Sequence, residues 1–163
     1  MKIQKKRRNE NKTDYLKRIK LLKSGRPRIC FRKTNAYLNA QYIESKEAQD
    51  KVILGLTSQK LMEYGWPKEA KGSLKSSSAS YLLGILIGKK IIEKKFENPV
   101  VDFGMTKIIH KNNAFAFLNG LKDAGLKIKC DKENFPDENR IKGEHMKNKI
   151  PFEKIKSQIM NKK

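Results

Sequence analysis

Arg28-Ile29-Cys30-Phe31-Arg32-Lys33-Thr34-Asn35-Ala36-Tyr37-Leu38-Asn39-Ala40-Gln41-Tyr42-Ile43 alternates apolar and polar residues in two runs around a turn-like Thr34-Asn35-Ala36. Side chains of an extended chain point to opposite faces with a period of two. Ile29 and Phe31 therefore share one face of a first strand, and Arg28, Cys30 and Arg32 share the other. In the second run Leu38, Ala40 and Tyr42 fall together, opposite Tyr37, Asn39 and Gln41. A third strand is expected over 52–57 after a polar loop at 45–50. Three sequential strands with short connections read as an antiparallel meander. If the apolar faces go inward, Arg28, Arg32, Tyr37, Asn39 and Gln41 form an outer face. Guanidinium for phosphate, a ring for stacking and amides for base edges or ribose are what a nucleic-acid surface needs. A solvated sheet face is the alternative reading.

Upstream of the meander, Tyr15, Leu16, Ile19 and Leu22 recur at helical spacing, with Thr13 as a candidate N-cap and Ser24-Gly25 as the stop. Lys17, Arg18, Lys20 and Lys23 lie on the other side of this helix, so an apolar face toward the body and a basic face outward are expected. Residues 1–12 are basic and polar without apolar periodicity, which predicts an arm that orders on its partner. Through residue 33 the chain carries fourteen Lys and Arg, Lys2 among them, against only Glu10 and Asp14.

Downstream, 61–67 reads as a short helix ending at Gly65, and the Lys/Ser-rich 68–78 as a loop. A serine at 76–78 caps the strongest helix, expected over about 79–96 with an apolar N-terminal half. Val100 to Phe103 reads as a strand. Asn112 or Asn113 caps a helix bearing Ala114, Phe117, Leu118 and Leu121, closed by Gly125, and 126–129 reads as a last strand. Meander, then helix, strand, helix, strand, implies an α/β body with a mixed sheet and crossover connections. From residue 131 the chain is polar and charged until Pro151, at N1 of a final helix with Phe152, Ile155 and Ile159 on one side. Three regions follow: a basic N-terminal arm over 1–12, an α/β domain over 13–130 and a C-terminal extension over 131–163.

The 163 residues carry 38 Lys and Arg against 17 Asp and Glu, a net charge of +21. Repulsion of that size disfavours a compact state unless a polyanion neutralises it, and phosphate backbone does so through counterion release. The longest apolar run, Tyr81 to Ile87, is far short of the ~20 residues that span a bilayer. No apolar segment follows the basic N-terminus as a signal peptide requires, so a cytoplasmic protein without a membrane partner is expected.

The catalytic strings fail on inspection. Asp102-Phe103-Gly104 matches a kinase triplet without the rest of a kinase. Gly84 and Gly88 before Lys89 approach a phosphate loop, but lie inside a helix whose amides are already used; close helix-sheet packing explains them better. Cys30, Cys130, His110 and His145 lack the close pairs of a zinc site. A two-metal nuclease needs several converging carboxylates, and Asp102 alone lies on an expected inner strand. No catalytic residue, metal or cofactor is assigned.

Thr13-Asp14-Tyr15 with Arg18, Leu21-Leu22-Lys23-Ser24-Gly25-Arg26-Pro27-Arg28, Arg32-Lys33-Thr34-Asn35, Glu63-Tyr64-Gly65-Trp66, Ser80-Tyr81-Leu82-Leu83-Gly84, Asp102-Phe103-Gly104 and Asp123-Ala124-Gly125-Leu126 follow one another in order. Together they resemble the large-subunit ribosomal protein L-eighteen family, and Arg140 to His145 is similar to the extension of its archaeal and eukaryotic branch. The resemblance implies a noncatalytic ribonuclease-H-like α/β fold and a cytoplasmic, ribosomal location at the central protuberance of the large subunit. It implies 5S ribosomal RNA, large-subunit ribosomal RNA and a neighbouring ribosomal protein of the L-five family as partners, with no small-molecule substrate. The RNA-contacting candidates are Lys5, Lys6, Arg7, Arg8, Lys12, Arg18, Lys23, Arg26, Arg28, Arg32, Lys33, Asn35, Tyr37 and Gln41. A nucleic-acid binder without 5S selectivity, and a metal-dependent nuclease on the same fold, are the competing functions.

Overall fold

The computed structural model describes residues 5–10, 12–47, 49–146 and 149–161. Its centre is the expected meander: β1 (Arg28–Lys33), β2 (Leu38–Lys46) and β3 (Gln49–Thr57) pair antiparallel in sequence order. Thr34 fastens the first turn, its hydroxyl donating to the Tyr37 carbonyl at 2.7 Å and accepting the Tyr37 amide at 3.0 Å. The alternation holds, for Ile29, Phe31, Leu38, Ala40 and Tyr42 are all buried on one face.

The polar stretch 45–50 is not a loop. Ser45 pairs with Asp50 and Lys46 with Gln49, so both strands run to the hairpin tip, where Glu47 takes a left-handed φ of 49°. Strands projecting into solvent need ladder hydrogen bonds but no apolar face, which is why polarity alone misplaces their ends. Between Tyr42 and Ile43 the register slips: Tyr42 faces Leu54 but Ile43 faces Val52, leaving Ile53 as an extra residue. Such a bulge reverses, between its two sides, the face that alternate side chains of its strand take. Asp50 is thereby carried to the outer face, beside Arg28.

After β3 come 3-10 turns at Ser58–Tyr64, ended by Gly65 at φ 88°, and again at Lys68–Ser73, where a loop is expected. Helix α3 (Ser77–Glu93), capped by Ser76, returns the chain to β4 (Val100–Asp102), which pairs parallel to β1. The order β3-β2-β1-β4 makes a mixed sheet of four strands. Asn112 caps α4 (Asn113–Asp123) through the amides of Ala114 and Phe115. The strand expected at 126–129 is not formed. Leu126 and Ile128 alternate as a strand would, but no ladder partner lies beside them; Lys127 instead gives its carbonyl to Asn98.

Helices α3 and α4 run alongside each other in the same direction and cover the inner face. Gly84 and Gly120 permit their contact: a Cβ on Gly120 would fall 2.1 Å from the Tyr81 carbonyl, and one on Gly84 2.5 Å from that of Phe117. Gly84 and Gly88, expected to seat the helix on the sheet, thus serve helix-to-helix packing, for a Cβ on Gly88 would fall 2.7 Å from that of Ala124.

The C-terminal segment closes over α3. After α5 (Glu138–Lys142), helix α6 (Phe152–Asn161) buries Phe152, Ile155 and Ile159, and the Phe152 ring lies 5.5 Å from that of Tyr81. Lys89 donates to the carbonyls of Ile159 and Met160, where the helix leaves acceptors unmet. The apolar stripe of the last helix therefore docks on its own chain, and Lys156 lies over the Tyr81 ring at 5.2 Å. Lys162 and Lys163 lie outside the described residues.

At the other end, α1 (Lys6–Asn9) is one helical turn, and α2 (Tyr15–Lys23) is capped by Asp14, not Thr13, through the amides of Leu16 and Lys17. The other residues of the expected arm, 1–4 and 11, lie outside the described residues.

Candidate nucleic-acid interface

Helix α2 sits on the outer face of the sheet with its apolar pattern only partly turned inward: Tyr15 and Leu22 are half-buried and Lys20 and Lys23 are exposed, as expected. Leu16 and Ile19 are exposed, at 64% and 48%, and none of its residues is buried. Its contacts with the body are polar: Lys17 donates to the Gly104 carbonyl at 3.4 Å, and Arg18 pairs with Asp50 at 2.9 Å. Lys17 and Arg18 turn inward because of what the sheet offers there, which is two carboxylates and a carbonyl.

Those carboxylates organise a chain of charge. Asp50 receives Arg18 on one oxygen and Arg28 on the other, at 2.9 and 2.6 Å, with Ser45 also donating at 2.6 Å. Asp102 accepts the Gly104 amide at 2.7 Å and Arg32 at 3.1 Å, with Arg28 at 3.7 Å and the Cys30 thiol at 3.5 Å. Burial pushes both carboxyls up, but the cations and donors prevail and hold each below the usual carboxylate range. For Asp102 these are the Gly104 amide, then Arg32 and Cys30; for Asp50 they are Ser45, Arg28 and Arg18. Cys30 is pushed up to about 11 by burial and by the Asp102 charge, so it remains a thiol at neutral pH.

Arg28 lies within the fold rather than open to solvent. It is 2% exposed and spans both carboxylates. The expectation of a solvent-facing Arg28 fails because the bulge in β3 and helix α2 close over it. Asp102 likewise cannot act as a metal-binding carboxylate of a nuclease, being occupied by two arginines, an amide and a thiol. Among the described residues no group of three or more His, Cys, Asp or Glu is placed to hold a metal ion.

The remaining candidates divide by place. Lys5, Lys6, Arg7, Arg8 and Lys12 are exposed, with Arg7 held to Thr13 at 2.9 Å and Lys5 over the Tyr15 ring at 4.7 Å. Arg7, Lys12, Arg18, Arg28 and Arg32 converge on one cavity. Lys23 and Arg26 are exposed at the far end of α2, away from it. Lys33 and Asn35 are exposed at the β1–β2 turn, whereas Tyr37 is half-buried just before β2. Gln41 is half-buried on the outer face between Cys30 and Gly55.

Two cations outside the fourteen candidates join this surface. Lys17 lines the same cavity. Lys75, from the Lys/Ser-rich segment, donates to the Asn35 carbonyl at 2.7 Å, and its own carbonyl accepts from Asn113 at 2.7 Å. No periodicity marks Lys75, since its placement depends on a contact across forty residues.

The fold and the site define a four-stranded mixed α/β domain with a basic outer face, in which the buried Asp102 is taken up by arginines, an amide and a thiol. Residues 1–99 match the family model described as ribosomal large subunit proteins 60S L5 and 50S L18. Over 145 residues the chain is 38% identical to the large ribosomal subunit protein uL18 of Korarchaeum cryptofilum, covering 89% of this chain and 72% of the relative. It is 38% identical to uL18 of Aeropyrum pernix, covering 86% and 64%, and 37% identical to uL18 of Methanosphaera stadtmanae, covering 89% and 73%. The chain belongs to this family of large-subunit ribosomal proteins, whose members are structural components and not enzymes.

Proposed function

We propose that this protein is a structural constituent of the large ribosomal subunit that binds 5S ribosomal RNA and fastens it to large-subunit ribosomal RNA. The family match carries this reading, and the basic outer face is the chemistry it requires. In this reading the protein works in the cytoplasm at the central protuberance, beside a ribosomal protein of the L-five family. The sheet order β3-β2-β1-β4, with β4 parallel to β1, supports the ribonuclease-H-like frame implied by the resemblance.

The contact set differs from the fourteen residues named from sequence in one respect: Arg28 supports the surface from beneath. Lys5, Lys6, Arg7, Arg8, Lys12, Arg18, Lys23, Arg26 and Lys33 neutralise phosphates, while Arg32, Asn35, Tyr37 and Gln41 supply orientation by hydrogen bonding and stacking. The test is competition near physiological salt, with labelled 5S RNA challenged by excess transfer RNA and duplex DNA. Retention of 5S RNA supports the proposal, and equal displacement by all competitors reduces the protein to an unselective binder.

A further inference from the structure

Between α1, α2 and the ends of β1 and β4 lies a cavity of about 120 Å³, reached by six cations: Arg7, Lys12, Lys17, Arg18, Arg28 and Arg32. Asp14 and Asp102 are the carboxylates on its wall, and both are committed, Asp14 to capping α2 and Asp102 to its four donors. Glu10 pairs with Lys12 at 2.8 Å, and Asp50 with Arg18 and Arg28, at the margin. Six cations therefore meet four carboxylates around a space that holds one phosphate group but no nucleoside. Like charges gathered in a partly dehydrated space repel strongly, and a small oxyanion relieves them.

Arg32 supplies the specific feature. Its Nη1 donates to the carbonyls of Phe31 and Asp102 at 2.9 and 2.7 Å, and its Nη2 to the Asp102 carboxylate at 3.1 Å. The Nε–H and one Nη2–H have no partner among the described residues, so the planar fork is held still with donors to spare. The guanidinium lies flat on Gly104, where a Cβ would come within 2.8 Å of Cζ and where φ is +58°. Fixed, paired N–H donors of this kind match two oxygens of a phosphate, which a lysine in the same place would not.

We propose that this cavity is a receptor for a single phosphate group, with Arg32 its bidentate ligand and Lys17 and Arg7 its supporting cations. The site stands on its own geometry; its assignment to an RNA backbone phosphate rests on the function proposed above. The test is titration of the full chain with inorganic phosphate at low ionic strength, following the Arg32 Nε–H and Gly104 amide resonances. Saturable shifts at both are expected. Arg32→Lys, which keeps the charge, and Gly104→Ala, which leaves every charge in place, should each weaken phosphate by roughly tenfold or more. Thermal unfolding checks that the variants are folded, and if Gly104→Ala is not, Arg32→Lys decides.

Shifts spread over the lysine amides without saturation, or unchanged affinity in Arg32→Lys, would overturn the site. Adding 5S RNA then separates the sources of the anion. Loss of bound phosphate assigns the cavity to the backbone, and its retention assigns it to a free oxyanion. The preference of the wild-type chain for 5S over transfer RNA is read separately, so a failure of the ribosomal reading leaves the phosphate result intact.

Discussion

The two faces of one sheet are covered by helices held in opposite ways. On the inner face, Ile29, Phe31, Leu38, Ala40 and Tyr42 pack beneath α3 and α4, and the Phe31 and Phe117 rings lie 4.6 Å apart. On the outer face, α2 is tied down by Arg18 and Lys17 while Leu16 and Ile19 remain in solvent. Apolar burial is non-directional and insensitive to salt, whereas exposed ion pairs are weak and screened. The inner face is thus the permanent half of the molecule, and the outer face the half that salt can loosen.

The largest effect lies inside. Phe31→Ala removes a ring in contact with those of Phe103 and Phe117 and should cost about 3–5 kcal/mol in urea unfolding. Next comes Arg28→Ala, which leaves Asp102 and Asp50 each short of a buried partner and should cost roughly 3 kcal/mol. Stability equal to that of wild type would overturn the structural role of Arg28.

Acid provides a third test. Asp50 and Asp102 titrate lower in the folded chain than the ~3.9 of an unfolded aspartate. Their stabilisation is present above that value and disappears as the pH falls through the folded values, because only the unfolded state then takes up protons. The urea midpoint should drop below about pH 4, and Asp102→Asn should flatten the drop. An unchanged slope in that variant would move the acid sensitivity to other carboxylates.

The smallest effect is at the surface. Arg18→Ala should cost about 0.5 kcal/mol, yet it should raise hydrogen exchange in α2 selectively, as should added salt, with β1 and β2 unaffected. Equal protection of α2 and the strands in high salt would show that the helix is held by more than charge.

The inner half was legible in the sequence because periodicity reports burial directly. Alternation located β1 and β2, and the serine, asparagine and glycine stops located α3 and α4. The misreadings share one cause. The 45–50 stretch and the 68–73 turns are largely exposed yet form regular structure, and in α2 Lys17 and Arg18 hold the helix to the body, so in each case polar residues do structural work that periodicity does not signal. The unformed strand at 126–129 is the converse case, an alternating pattern with no neighbouring ladder to join.

Composition and residues near one another in the chain fix the excess of cations, the meander, the positions of α2, α3, α4 and α6, and the family. Only the tertiary structure decided which cations face outward and which are spent inside. A one-residue bulge in β3 swings Asp50 beneath α2, and the parallel approach of β4 sets Asp102 beside Arg32 and Arg28. Charge acts through space with a strength set by distance and burial, and neither quantity is written in the order of the residues.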